Sequence, residues 1–173
     1  MAISLFDAAV LSFRQTVGAV GGVLAKGRAH FEAAGVDPTS FIETRLIEDM
    51  LPFRYQIYSV VNHSVGALEA CKGGVFTPGT SLGPDSWAGL EALIAEANTA
   101  LAAYTPDEVN ALEGKDVMFS FGKTQMPFTA EGFLMSFSMP NLHFHATTTY
   151  ALLRAKGVKL GKRDYMGMPR LKM

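Results

Sequence analysis

The fold depends on how one stretch of the chain is read, Pro140-Asn141-Leu142-His143-Phe144-His145. In a helix, Asn141 and His145 lie about 40° apart and share a face, whereas His143 lies roughly opposite. In a strand, His143 and His145 would share a face instead. The apolar residues on both sides recur with a period near 3.6, which favours one long helix over residues 130–156 with Pro140 inside it.

Three further segments show the same helical spacing and cover residues 4–34, 52–72 and 84–104. Each of these helices has an apolar face that needs a neighbour, so the pattern predicts a helical bundle. The first segment contains Gly18, Gly21 and Gly22, which we expect to permit close approach of another helix.

Residues 116–129 have a different pattern from the rest of the chain. Val117, Phe119 and Phe121 alternate with other residues and predict a strand. Gly122-Lys123-Thr124 is typical of a turn, so a second short strand should follow it. The predicted class is therefore all-α, a four-helix bundle with a short β-hairpin inserted before the last long helix.

The connecting segments carry weaker signals. Asp37-Pro38 predicts another helical piece that runs towards Pro52, with Asp as the cap and Pro at the first position. Residues 73–84 are rich in Gly, Pro, Ser and Thr and predict a loop. Residues 157–173 form a basic C-terminal tail, which we expect to be irregular. A solvated tail or one docked on a second subunit is favoured over a phosphate-binding tail.

Bulk composition bounds the class of protein. The 173 residues are 49% hydrophobic and 18% charged, which fits a single globular domain over 1–173. The net charge of −1 argues against nucleic acid or an anionic membrane as the main partner. The one cysteine, Cys71, allows no intrachain disulfide, and no run reaches about 18 uncharged apolar residues. We therefore expect a cytoplasmic protein.

Two places in the helices carry side chains suited to chemistry. Asn141 and His145 form an inward polar pair, either as part of a metal or ligand site or as a buried hydrogen-bonded pair. The second place is Asn62-His63, of which only one side chain can point fully inward. His63 and His145 facing each other across the bundle would begin a two-histidine metal site, and Tyr58 shares the face of Asn62.

Three parts of the chain together resemble a known family. They are Arg45-Leu46…Asp49-Met50…Pro52…Gln56, then Pro140-Asn141…Phe144-His145…Thr148…Tyr150-Ala151-Leu152-Leu153-Arg154, and Gly157-Val158…Gly161-Lys162-Arg163-Asp164-Tyr165…Gly167. The combination resembles an uncharacterised bacterial family within the DinB/YfiT-like metalloenzyme superfamily, and the match runs from Leu5 to Gly167.

The resemblance implies a DinB-type four-helix bundle that is often dimeric. In that superfamily, a His on the second long helix and a His-x-x-x-His pair on the last one bind a divalent metal, commonly nickel or zinc. His145 matches the second His of the pair, and Asn141 stands where the first would be. The family position aligned with Asn62 usually holds Asp, with His63 as its neighbour.

Two functional hypotheses follow. The favoured one is a metal-free bundle that binds a small molecule or acts as a homodimeric scaffold, with a degenerate metal site in which Asn62, Asn141 and His145 form a hydrogen-bond network. Tyr55, Tyr58, Phe133 and Phe137 would wall its pocket. The alternative is a divalent-metal-dependent transferase or hydrolase that holds nickel or zinc through His145 and His63.

Overall fold

Four long helical segments make up most of the chain in a computed structural model, which describes residues 3–172. They are a π-helical turn at Phe6–Val10 followed by α1, Leu11–Ala33; then α2, Phe53–Val61, a π-helical turn at Asn62–Gly66 and α3, Ala67–Gly73; then α4, Trp87–Ala103; and finally α6, Ala130–Gly132, a π-helical turn at Phe133–Ser138 and α7, Met139–Ala155. The four predicted helical spans are confirmed.

Short elements fill the connections between these segments. They are a 3₁₀ turn at Pro38–Phe41, α5 at Pro106–Asn110, α8 at Lys162–Met166, and the strands β1 at Val75–Phe76, β2 at Asp116–Phe121 and β3 at Thr124–Thr129.

The ends of the helices follow local chemistry. The hydroxyl of Ser86 accepts the backbone N–H of Gly89 at the start of α4, and Thr129 does the same for Gly132 at the start of α6. Gly74 ends α3 with a φ of 78°, a left-handed conformation that favours glycine.

The core is formed where the helices cross. The α1 helix packs against α4 and α7, and α2 packs against α7 and α4. At one end of this core Trp87 is fully buried, stacks on Phe53 with ring centroids 5.5 Å apart, and meets Phe31 edge-on at 5.8 Å. Because every long segment buries its apolar face in one connected cluster, α2 and α7 are held side by side.

The sheet has three strands in the order β1-β2-β3. The β2 and β3 strands are antiparallel, with Asp116 opposite Thr129, and β1 lies parallel to β2, with Val75 opposite Met118. The fold is therefore mostly helical with a small three-stranded sheet. The prediction of an all-α fold with a two-stranded hairpin lacked the third strand, β1. A two-residue strand is too short to give a periodic signal, and its buried Phe76 fell in a segment predicted to be a loop.

The helical piece predicted after Asp37-Pro38 is wrong beyond its first turn. Asp37 caps the N–H of Thr39, but the 3₁₀ turn ends at Phe41. Leu46 and Ile47 then expose 56% and 62% of their surface. Since a short helix is stabilised mainly by burying an apolar face, residues 42–52 have too little packing to remain helical.

The C-terminal tail also differs from the prediction of an irregular segment. The α8 helix docks on α1 of the same chain, where Nζ of Lys26 lies 2.6 Å from Oδ1 of Asp164 and the Gln15 amide donates to the carbonyl of Met166 at 2.8 Å. Val158 and Leu160 are buried and anchor the connection. Residue 173 lies outside the described part of the chain.

One helix meets the length and hydropathy criteria for a membrane span. It covers Phe6–Ala33 with a mean hydropathy of 1.3, and half of its most apolar window is buried inside the protein. Its apolar residues fill the core described above, as in the central helix of a soluble domain.

Two of the three glycines expected to permit close approach do face α4, since a Cβ at Gly21 would lie 3.4 Å from Cγ2 of Ile94 and one at Gly18 would lie 3.8 Å from Oδ1 of Asn98. The tightest approach along α1 is at another glycine. A Cβ at Gly27 would lie 3.0 Å from two ring carbons of Trp87 and 3.3 Å from Cδ1 of Leu153, whereas a Cβ at Gly22 would meet nothing within 4 Å. The expectation is therefore wrong for Gly22, and Gly27 is the glycine that lets α1 approach the tryptophan.

This difference gives a matched pair of substitutions. Gly27→Ala should lower the free energy of unfolding by about 1–3 kcal/mol, because the buried Trp87 must shift. Gly22→Ala should raise it by about 0.5–1 kcal/mol, because alanine is the better helix former in open space. Urea denaturation measures both, and equal stability of the two variants would contradict the packing described here.

Candidate functional site

Two histidines face each other between the second and fourth helical segments. His63 lies in the π-helical turn Asn62–Gly66 and His145 lies on α7. Their ring centroids are 5.9 Å apart and the ring planes are within 10° of parallel. His63 is 8% exposed, and Asn62 is half-buried. Of these two neighbours, His63 is therefore the one that points inward.

Asn62 and His63 begin a π-helical turn within the second helical segment. A π turn is wider than an α turn, so it rotates the following side chains away from the α-helical period. The hydroxyl of Ser64 donates to the carbonyls of Val60 at 2.8 Å and Val61 at 3.2 Å inside this turn. Turns of this kind occur frequently at functional sites.

A buried glutamine connects the two helices at His145. Gln56 on α2 is 2% exposed, and its Oε1 lies 2.8 Å from Nδ1 of His145. Its Nε2 donates to the carbonyl of Leu51 at 2.8 Å. A carbonyl can only accept, so the NH₂ group of Gln56 must face Leu51 and the oxygen must face His145. His145 therefore carries its proton on Nδ1 and has a free lone pair on Nε2.

His63 is surrounded by aromatic rings and, unlike His145, has no polar partner at Nδ1 in the described part of the chain. Its ring lies 5.6 Å from the ring of Phe76 and 5.7 Å from that of Phe137. Its Nδ1 is buried and has no hydrogen-bond partner within residues 3–172. An unpaired buried polar atom costs about 1–3 kcal/mol, so this position is maintained at the expense of stability.

Both imidazoles are uncharged at neutral pH. Burial, and to a smaller extent the neighbouring His145, lowers the pKa of His63 to about 4. Burial also lowers the pKa of His145 to about 4. The site consequently offers two neutral rings with lone pairs, surrounded by aromatic side chains.

The other residues predicted for the site lie around this pair without closing a network. The amide of Asn141 donates to the carbonyl of Phe137 at 2.7 Å, four residues earlier on its own helix. Oδ1 of Asn62 lies over Gly66, 3.0 Å from where a Cβ would be. In place of the predicted hydrogen bonds among Asn62, Asn141 and His145, His145 contacts Gln56 and Asn141 bonds within its own helix.

Tyr58 and His143 lie further out. The ring of Tyr58 is 6.2 Å from that of Tyr55, which in turn meets the His145 ring edge-on at 5.8 Å. His143 is exposed, and its Nδ1 lies 3.1 Å from the hydroxyl of Tyr165. Tyr58 thus reaches the histidine pair through Tyr55, and His143 belongs to the outer face of α7 as the helical reading requires.

The donor set does not fit a metal site of the three-histidine kind. Within residues 3–172, no three His, Cys, Asp or Glu side chains are grouped closely enough to hold an ion. Zinc and nickel are usually held by at least three such ligands. His63 and His145 supply two, and the side chain that is hydrogen-bonded to His145 is the amide of Gln56.

Sequence reasoning missed Gln56 as a member of the site. A signal was available, because Gln56 and His63 are seven residues apart and would share a helix face. Phe76 carried no such signal, since its position beside His63 depends on the β1–β2 pairing.

Comparison with known proteins identifies the class of fold. A solved structure of a DinB family member protein from Shewanella denitrificans matches with a TM-score of 0.79 and 24% identity, over 98% of this chain and 95% of that one. No curated protein is similar enough to count as a match. The family model described as a domain of unknown function (DUF1993) matches residues 5–166. The chain belongs to this family, and the DinB-like resemblance inferred from its sequence is confirmed.

The buried pair predicts a specific loss of stability in acid. The folded-state pKa of His63 lies below the unfolded value of about 6.5, so its stabilising effect is complete above that pH and is lost as the pH falls towards 4. The loss reaches about 3 kcal/mol for this one residue. In the variant His63→Phe, the free energy of unfolding should therefore fall less steeply between pH 7 and pH 4.

Urea denaturation across that pH range measures the slope. Identical slopes for wild type and His63→Phe would show that His63 is not buried in its neutral form.

Proposed function

We propose that this protein binds an uncharged small molecule at the His63–His145 pair, on a DinB-type four-helix bundle whose metal site is degenerate. The observation that carries the proposal is the pair itself, two neutral imidazoles 5.9 Å apart with an unpartnered nitrogen on one of them. A stability cost of this kind is typical of functional sites.

Aromatic side chains support a ligand-binding role. Tyr55 and Phe144 contact the His145 ring at 5.8 Å and 5.2 Å, and Phe76 and Phe137 contact the His63 ring. Tyr55, Phe137 and His145 are half-buried, so the pair borders the surface on that side. Apolar walls with a few oriented polar atoms are the usual composition of a small-molecule site.

A metal-dependent transferase or hydrolase is the second candidate. The Gln56 contact favours it, because metal-binding histidines commonly donate their other ring N–H to a carbonyl oxygen and keep the second nitrogen for the ion. His63 and His145 would hold the metal, which would act as a Lewis acid on a bound water or thiol. The lack of a third grouped donor within residues 3–172 makes this candidate the weaker one.

One experiment separates the two candidates. We expect toluene, a neutral aromatic probe, to shift the ring-nitrogen signals of His63 and His145 saturably in ¹H–¹⁵N spectra, because it can occupy the aromatic surround. The signals of His143, two residues away on the outer face, provide the internal control. If neither toluene nor phenol changes the signals of the pair, or if toluene moves His143 equally, the ligand-binding proposal is contradicted.

Metal analysis and added zinc test the metal-dependent candidate. Protein purified without a histidine tag should contain no stoichiometric zinc or nickel, and added zinc should leave its thermal unfolding temperature unchanged. Stoichiometric binding that disappears in His145→Ala would establish the metal-dependent candidate instead.

Homodimerisation and a cytoplasmic location are further parts of the proposal. Leu46 and Phe144 expose 56% and 55% of their surface and line one groove on the outer face of α7, with a volume of about 470 Å³. Exposed apolar side chains gathered in this way are typical of protein interfaces, and we propose a second copy of the chain as the occupant. The buried, lone Cys71 suits a reducing compartment.

Light scattering tests the dimer. At micromolar concentration the wild type should have twice the monomer mass of 18.6 kDa, and Leu46→Glu should return it to the monomer because a charge would be buried in the interface. Leu171→Glu, at another exposed leucine, is the matched control and should remain dimeric. A monomeric wild type contradicts the proposal.

A further inference from the structure

The hydrogen bonds around Gln56 determine what kind of ligand His145 can bind. Leu51 accepts from Nε2 of Gln56, and Oε1 of Gln56 accepts from Nδ1–H of His145, both at 2.8 Å. With Nδ1 occupied as a donor, the remaining ring nitrogen of His145 is an acceptor. A partner at Nε2 must therefore supply a hydrogen-bond donor or a cation.

Nε2 of His145 lies where a ligand can reach it. His145 is half-buried, and its Nε2 is not one of the buried polar atoms that lack a partner. The nitrogen is thus free without being sealed in the core. By contrast, Nδ1 of His63 is fully enclosed, so this atom is not available to a ligand.

The charged groups near the two histidines further limit the class of ligand that can bind. Within residues 3–172, neither imidazole forms an ion pair or a hydrogen bond with a Lys, Arg, Asp or Glu side chain. The rings nearest to them belong to Tyr55, Phe76, Phe137 and Phe144. An anion would find no cation or N–H donor at Nε2, and an organic cation would find no carboxylate to offset its desolvation.

We propose, on the basis of the ligand-binding function above, that the ligand is an uncharged aromatic molecule with one O–H or N–H group, which it donates to Nε2 of His145. The ring of the ligand would lie against Tyr55 and Phe137, and Gln56 is the residue that positions His145 as the acceptor. Exchanging the donor for a group of equal size without a proton removes the hydrogen bond and leaves the apolar contacts unchanged.

Phenol and toluene make this exchange, because they differ only by a hydroxyl in place of a methyl group. We expect phenol to bind roughly tenfold more tightly than toluene in the ring-nitrogen titration, the difference that one net hydrogen bond provides. Benzoate, the anionic probe, should produce no saturable shift. Phenol that binds no more tightly than toluene, or benzoate that binds comparably, overturns the ligand class and leaves the broader ligand-binding function standing.

The outcomes of the two proposals remain distinguishable. If none of the three probes perturbs His63 and His145, the ligand-binding function and the ligand class are both wrong. If toluene binds and phenol gains nothing, only the ligand class is wrong.

The protonation state of His145 gives an independent readout. The ¹⁵N chemical shifts of free protein should show His145 protonated at Nδ1, and a proton on Nε2 would overturn the proposal without any ligand. Gln56→Leu should remove the preference for a proton on Nδ1 and reduce the ratio of phenol to toluene affinity towards one. Gln125→Leu, on the exposed strand β3, should change neither the tautomer nor the affinity ratio. A ratio that persists in a folded Gln56→Leu variant shows that Gln56 does not position His145.

Discussion

The hydrogen bond from His145 to Gln56 joins α7 to α2. Because buried polar groups need partners, this contact limits how the two helices can slide or rotate against each other. Leu51 adds a second constraint, since its carbonyl orients the glutamine amide. The arrangement of the histidine pair, its protonation and its surrounding aromatic rings all depend on this small chain of donors and acceptors.

Around this contact, the DinB-like fold retains its architecture while the donor set differs from a three-histidine centre. His145 stands on α7, and the residue four positions earlier is Asn141, whose amide is used within its own helix. The chain therefore combines a fold shared with a DinB family member and a site with only two imidazoles.

The candidate site could be predicted only in part. Helical periodicity placed His145 on an inward face and His143 on the outer one, and the structure agrees with both. The choice between Asn62 and His63 was left open, although the α-helical period places His63 on the same face as the buried Gln56. Gln56 was visible as a neighbour of His63 on one helix face, but its bond to His145 joins residues 89 positions apart.

Local chemistry in the sequence determined the four long helical segments, since caps, prolines and the 3.6-residue repeat act over a few neighbouring residues. Tertiary structure decided the strand β1, the docking of α8 on α1 and the meeting of His63 with His145. These features depend on partners distant in the chain, such as Met118 for Val75 and Lys26 for Asp164. No local pattern specifies such contacts, because their free energy arises only when separate faces are buried together.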